Sequence, residues 1–387
     1  MVVSRLAQIP GIGVDRMGSA ADAAGSAEML RLENLDTDIP PPPAAIAATE
    51  AAIRRDDANS YLPFLGTKAL REAAAARISR STGIEYDPDG ECIVCAGGLS
   101  GILNALLALL EPGDEVVITD PAYAGLLNRI RLAGGVPVLV PLVPSPTGWS
   151  LDLDRLEATA SPRVRAILTM SPSMPSGITH DDKEWSAIRD LAVRTDAWVL
   201  HDAAMERILF GGREARHPAT IDGLAERTIT VGSVSKEYRM IGWRVGWVVG
   251  PRAIMNDIGL VSLTNVVCQV GIAMPGATAA LTATDDGVAD AVRTWEARRD
   301  AILTACKDLP IVPAHGGWSL LVDTVELGMR PDVASKRCFE LGKIAATAMT
   351  GWGADERAGR YLRFVFANEP VARLADIRER LRAAWGV

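Results

Sequence analysis

The chain has 387 residues, of which 48% are hydrophobic and 23% charged, and a formal net charge of −8. That length exceeds what one compact core usually fills, so two lobes are expected, and the composition excludes collagen-like, disordered and coiled-coil classes. An acidic balance without a basic block argues against a nucleic-acid partner; with neither a signal-peptide core nor an unbroken apolar span of about twenty residues, the chain reads as cytoplasmic and without a membrane partner.

The first forty residues show little periodicity and end in Pro40-Pro41-Pro42-Pro43, which stops any element and extends the chain. Segment 1–45 is expected to lie against a smaller lobe. From about Ala44 to Ala283, helix-like stretches alternate with short apolar runs bounded by turn signals, the rhythm of βαβ units and a mostly parallel sheet. Strands are expected at 92–95, 115–119, 137–140, 165–169, 197–201, 228–232 and 246–249, with helices at 66–80, 99–110 and 183–194 among those between them. This gives an α/β large domain over 46–285, with a seven-stranded sheet flanked by helices that binds its ligands at the carboxyl ends of the strands. Beyond it come a helix at about 288–308, a strand at Gly316-Gly317-Trp318, a helix at 332–342, a strand at 360–366 and a helix at 370–385. These make a smaller α+β domain, 286–387.

Five cysteines, an odd number, suggest no disulfide framework. Cys92 and Cys95 form a C-x-x-C inside an apolar strand with no second ligand pair at zinc spacing, so they read as core thiols, and no metal site is expected.

Ser233-Val234-Ser235-Lys236 follows the strand at 228–232. A lysine at the end of a buried strand is costly unless its amine has a task, such as holding a carbonyl carbon as an imine. Asp202 ends another apolar strand at the same sheet edge. It could keep a pyridine nitrogen protonated, or simply cap a helix. Ala96-Gly97-Gly98-Leu99-Ser100-Gly101 joins a strand to a helix, where free backbone N–H groups can hold a phosphate, though a plain tight turn also fits. Arg244 in Gly242-Trp243-Arg244-Val245-Gly246 could add a fixed charge to that phosphate or be a surface arginine.

Together with Asn59-Ser60-Tyr61, Leu65-Gly66, Leu70-Arg71-Glu72-Ala73, Glu111-Pro112-Gly113-Asp114-Glu115-Val116 and Asp120-Pro121-Ala122-Tyr123, these stretches resemble the class I/II aminotransferases, the aspartate aminotransferase-like enzymes of fold type I. The resemblance covers nearly the whole chain in the right order. It implies the cofactor pyridoxal 5'-phosphate, with amino acid and 2-oxo acid substrates. Lys236 would hold the cofactor as a Schiff base and shuttle the proton. Asp202 would pair the pyridine nitrogen and Tyr123 would stack on the ring. Gly97, Gly98, Leu99, Ser233, Ser235 and Arg244 would surround the phosphate. Tyr61 matches the tyrosine that reaches the neighbouring subunit's phosphate, which implies a homodimer with shared active sites. Arg363 matches the arginine that clamps the substrate α-carboxylate, and Leu35 falls near the glycine that borders the substrate.

Two departures stand out. Ser171-Pro172-Ser173-Met174-Pro175-Ser176-Gly177 replaces N-P-x-N-P-T-G, and Asp202-Ala203-Ala204-Met205 replaces D-x-x-Y. Met174 and Met205 thus take the places of both side-chain donors to the cofactor's phenolic oxygen. The leading function is amino transfer; the alternative keeps fold and cofactor but makes the chain a decarboxylase, a lyase or an oxidative deaminase. A third reading, a non-catalytic sensor, is opposed by the retention of Lys236, Asp202 and Arg244. Specificity is expected to reside in the N-terminal segment, a loop around Trp149, the segment near Asn265 and the Gly316–Trp318 strand. Between Val261 and Ala280 there is neither Arg nor Lys to clamp a second carboxylate, which favours a neutral, aromatic or unusual donor over aspartate.

Overall fold

The computed structural model describes residues 4–387. A two-residue strand, β1 (Leu30–Arg31), precedes the main sheet. That sheet comprises β2 (Cys92–Cys95), β3 (Glu115–Asp120), β4 (Val136–Ser145), β5 (Gly148–Leu151), β6 (Val164–Met170), β7 (Trp198–Asp202), β8 (Thr228–Ser233) and β9 (Gly246–Val249). Their order is β2-β9-β8-β7-β6-β3-β4-β5. All seven expected strands form. The eighth, β5, is antiparallel to β4 and carries Trp149, which is buried against the Tyr361 ring in a hairpin rather than lying in a loop.

Strands β8, β7, β6, β3 and β4 run parallel. β9 runs against both of its neighbours, so β2 points the same way as the parallel set. The carboxyl ends of β2, β3, β6, β7 and β8 therefore meet at one edge. Successive side chains point to opposite faces of a strand, and here both faces are covered. Val116, Ile118, Leu168 and Leu200 pack with Ile102, Leu106 and Leu126 on one side. Val117, Ile167 and Val199 pack with Trp185, Ile188 and Leu191 on the other. The helix Asp182–Thr195 supplying those residues starts with a capping box between Asp181 and Glu184, worth about 1 kcal/mol.

A smaller four-stranded sheet, β10-β11-β14-β13, uses β10 (Ile311–Val312), β11 (Ser319–Asp323), β13 (Thr347–Ala348) and β14 (Tyr361–Val365). β12 (Ile344–Ala345) pairs in parallel with β1, and Val365 N–H donates to the Leu32 carbonyl, which ties the N-terminal segment to this sheet. Several elements differ from expectation. A helix, Val14–Ala24, lies in the segment read as having little periodicity; it buries Ala21 and packs Met17 against Met29 and Ala345. Pro43 does not extend the chain but opens the helix Pro43–Ile53, where a missing N–H costs nothing. Gly316–Trp318 is not a strand: Gly317 has φ +77° and β11 begins at Ser319. The expected helix at 332–342 ends at Arg337 and continues as a π-turn, and that at 370–385 is broken between Leu374 and Ile377.

Below the sheet, His201 and His217 pack edge to face, 5.1 Å apart, with Glu206 beside them. His217 Nδ1 accepts the Ala219 N–H at 3.1 Å, so its Nε2 carries the proton, faces Thr230 Oγ1 at 3.0 Å and has no lone pair for a metal. Burial, helped by the Arg77 charge, pulls His217 down to about 3. An unfolded histidine titrates near about 6.5, so the folded state binds fewer protons below that pH. The contribution of His217 to stability is thus intact above pH 6.5 and is lost as pH falls toward 3. In denaturant melts, the stability advantage of the wild type over His217→Gln should shrink by about 2–3 kcal/mol between pH 7.5 and 4.5. Parallel pH curves would contradict this.

Candidate active site

At the shared edge of the strands lies a cavity of about 270 Å³. The pleat and the register place its polar groups. Met170 pairs with Asp202 across β6 and β7, and Asp202 with Val231 across β7 and β8, so the residues leaving each strand converge on one space. Lys236, three residues past β8, lines it, as do Asp202, Ser233 and Ser235. Gly98 and Leu99 enter from the helix Gly98–Leu109, Tyr123 from the turn after β3, and Arg244 from the loop before β9. Leu35, Met174 and Met205 close the apolar side together with Met170, Ala204 and Ile241, and Asn34 adds a polar group to the rim; sequence reasoning did not single out these last four.

Lys236 Nζ donates to the Leu35 carbonyl at 2.8 Å and sits 4.9 Å from the centre of the Trp318 ring. Burial pulls this amine down to about 8, against the opposing pull of Asp36. Asp202 is 6% exposed; burial pushes its carboxyl up to about 6, although it accepts the Ala204 N–H at 3.1 Å and feels the charges of Arg129 and Lys236. Arg129, also missed by the sequence reading, is fixed by the Leu99 and Gly125 carbonyls, both at 2.8 Å.

The first turn of the helix Gly98–Leu109 has no capping side chain. Gly97, just outside the cavity, has φ +86°, and a Cβ there would lie 2.5 Å from Arg244 Nη2. Arg244 donates to the Ile241 carbonyl at 2.8 Å and approaches Ser235 Oγ at 3.4 Å. Uncapped N–H groups, two hydroxyls and a guanidinium make an anion cradle.

Besides Gly97, two expected residues stand apart from the cavity. Tyr61 is 83% exposed and does not reach it within one chain. Arg363, fully buried on β14, lies behind Met174, whose sulfur accepts from Nη1 at 3.6 Å. Its Nη2 donates to the Glu33 carbonyl, its Cζ lies 4.6 Å from the centre of the Trp352 ring, and its Nε has no partner among the described residues. None of these neighbours is anionic, and burial pulls the guanidinium down to about 10. The nearby Glu33 carboxylate is engaged by Arg31 at 2.7 Å. The arrangement thus offers an amine that can take up a carbonyl carbon, a carboxylate for a cationic ring nitrogen, a cradle for an anion and a buried guanidinium awaiting one.

Comparison with known proteins agrees with this chemistry. The family model described as aminotransferase class I and II matches residues 29–381. A probable N-succinyldiaminopimelate aminotransferase of Mycobacterium tuberculosis is 33% identical over 364 residues, covering 88% of this chain and 90% of that protein. The arginine–pyruvate transaminase of Pseudomonas aeruginosa is 29% identical, covering 89% and 87%. The solved structure of the Mycobacterium tuberculosis N-succinyldiaminopimelate aminotransferase superposes with a TM-score of 0.92 at 29% identity, over 99% of this chain and 100% of that one. The chain therefore belongs to the class I and II aminotransferases, fold-type I enzymes that use pyridoxal phosphate to move an amino group between an amino acid and a 2-oxo acid.

Proposed function

We propose that the cavity at the carboxyl ends of the strands is where this chain transfers the amino group, with Lys236 as the residue that anchors the cofactor. The observation that carries this reading is the lining of that one cavity, which holds a depressed lysine, a buried aspartate and an anion cradle. When bound, pyridoxal phosphate supplies a carbonyl carbon that amines can hold and a ring that takes up the electrons left as the substrate's α-proton departs. Lys236, held near 8 by burial, is suited to act both as a nucleophilic amine and as the base that removes this proton. Asp202 would face the ring nitrogen; a cation there would bring its carboxyl back down and relieve its burial. Tyr123 would cover the ring, and Gly97, Gly98, Leu99, Ser233, Ser235 and Arg244 would hold the phosphate.

Arg363 would take the substrate α-carboxylate, which would displace the Met174 thioether now covering the guanidinium and meet its unpartnered Nε. The walls around Leu35, Ile241, Met174 and Met205 support a neutral or aromatic donor, because thioethers and aliphatic groups offer no hydrogen-bond donors. Exposed Tyr61, with Phe64 and Leu260 also exposed, supports a homodimer in which Tyr61 reaches the partner's phosphate. We read the chain as three parts, 1–45, 46–285 and 286–387, and as a cytoplasmic enzyme; no helix among the described residues is long and apolar enough to cross a membrane.

Borohydride reduction of the holoenzyme should fix the cofactor on Lys236 alone, read by peptide mass, and Lys236→Ala should abolish it; an adduct on another lysine would overturn the assignment. Arg363→Lys should raise KM for the amino donor by about 10- to 100-fold, since a point charge loses a charge-assisted two-pronged contact. Neutral and aromatic amino acids should show higher kcat/KM than aspartate. A clear preference for aspartate would contradict the reading of the walls.

A further inference from the structure

We infer that Trp352 is the positioning residue for Arg363 and that Asp120 holds it there, an inference that rests on reading Arg363 as the carboxylate clamp. Arg363 has weak fixings for a buried guanidinium. Its Nη2 has a carbonyl, but Nη1 meets only the Met174 thioether, a poor acceptor, and Nε meets nothing. What remains to fix its plane is the Trp352 face, 4.6 Å from Cζ, a stacking that strengthens once water is excluded. Trp352 is fully buried and also meets Tyr123 edge to face at 5.5 Å. The indole thus stands between a wall of the cavity and the arginine.

The loop bearing Trp352 is pinned from the main sheet. Asp120, fully buried at the end of β3, accepts the Ala354 N–H with both oxygens, at 3.3 and 3.4 Å, and pairs with Arg357 at 3.4 Å. A Cβ on Gly353 would overlap Asp120 Oδ1, so glycine is what lets the loop come this close. Ala122 N–H donates to the Trp352 carbonyl at 2.9 Å, and the indole N–H to the Ile12 carbonyl at 3.2 Å. Two distant stretches of chain, one around Asp120–Tyr123 and one at Ile12, therefore fix one ring. A ring that fixes the clamp before the carboxylate arrives removes an ordering cost from binding and leaves the chemical step alone.

The test is carboxylate affinity in the holoenzyme, with 3-phenylpropionate, an aromatic monocarboxylate without an amino group, as the probe and the cofactor's absorption band as the reporter. Trp352→Leu should weaken the probe about tenfold, the scale of a desolvated cation–π contact, with cofactor content unchanged. Trp352→Phe, which keeps a ring face, should recover most of that loss. Because the indole acts through the arginine, Trp352→Leu should add nothing to Arg363→Lys. Additive losses, or a Trp352→Leu enzyme that binds the probe as the wild type does, overturn the inference while leaving the clamp in place. If Arg363→Lys alone leaves affinity unchanged, or the wild type does not bind the probe, the reading of the clamp fails and the inference with it. Should Trp352→Leu not fold, Asp120→Asn carries the same test, since it removes no core volume yet loosens the loop; its loss should likewise vanish in the Arg363→Lys background, and additivity would again overturn the inference.

Discussion

A cation and an anion held out of water without full compensation organise this molecule. The Lys236 amine is pulled down and the Asp202 carboxyl pushed up by the same cause, removal from solvent, and neither has a direct ionic partner among the described residues. A fold keeps such groups buried only where the surrounding structure leaves them no alternative. Here the parallel strands do this: β7 and β8 deliver both residues at their carboxyl ends, and antiparallel β9 brings Gly246 close enough to the Gly97–Gly98 backbone that any side chain would clash.

The N-terminal segment completes the enclosure. Its Glu33 and Leu35 carbonyls accept from Arg363 and Lys236, and Asp38 is held by Arg298 at 2.7 Å. One strap therefore engages both cations, the lysine of the large sheet and the arginine of the small one. The methionines fit the same economy of donors. Met174 offers its sulfur to Arg363 and Met205 sits beside Gly317, so the wall they form is apolar where the resemblance placed two hydrogen-bond donors. The family gives the reaction; in the proposed reading these side chains bear on which amino acid enters.

Much of this was legible in the sequence because the determinants are local. Short β-rich runs between turn residues gave the seven strands, and the lysine, the aspartate and the glycine turn singled out at their ends line one cavity. What escaped notice depends on distant partners. Trp149 follows Pro144-Ser145-Pro146-Thr147-Gly148, a stretch that reads as a loop, yet it is a strand because β4 runs on to Ser145 and pairs with it. The helix Val14–Ala24 does carry an apolar face, around Val14, Met17 and Ala21, but it is short and built largely of small residues, and its partners Met29 and Ala345 lie elsewhere in the chain. Gly316 looked like the start of a strand, but it makes only an isolated antiparallel bridge with Leu209, and Gly317 at φ +77° breaks the run before β11. Trp352 lies in Gly351-Trp352-Gly353, a turn by composition, and the carboxylate that pins its loop is 234 residues away in the chain. No pattern of spacing joins residues so far apart.

The central claim, that amino transfer is the chemistry of this cavity, is tested most directly by a single turnover. Holoenzyme mixed with an amino acid it accepts, and no 2-oxo acid, should release one 2-oxo acid per active site and then stop, with neither ammonia nor carbon dioxide formed, and should resume only when a second 2-oxo acid is added. Continued turnover that releases ammonia or carbon dioxide would contradict the account and place the chemistry of this chain with elimination, oxidation or decarboxylation.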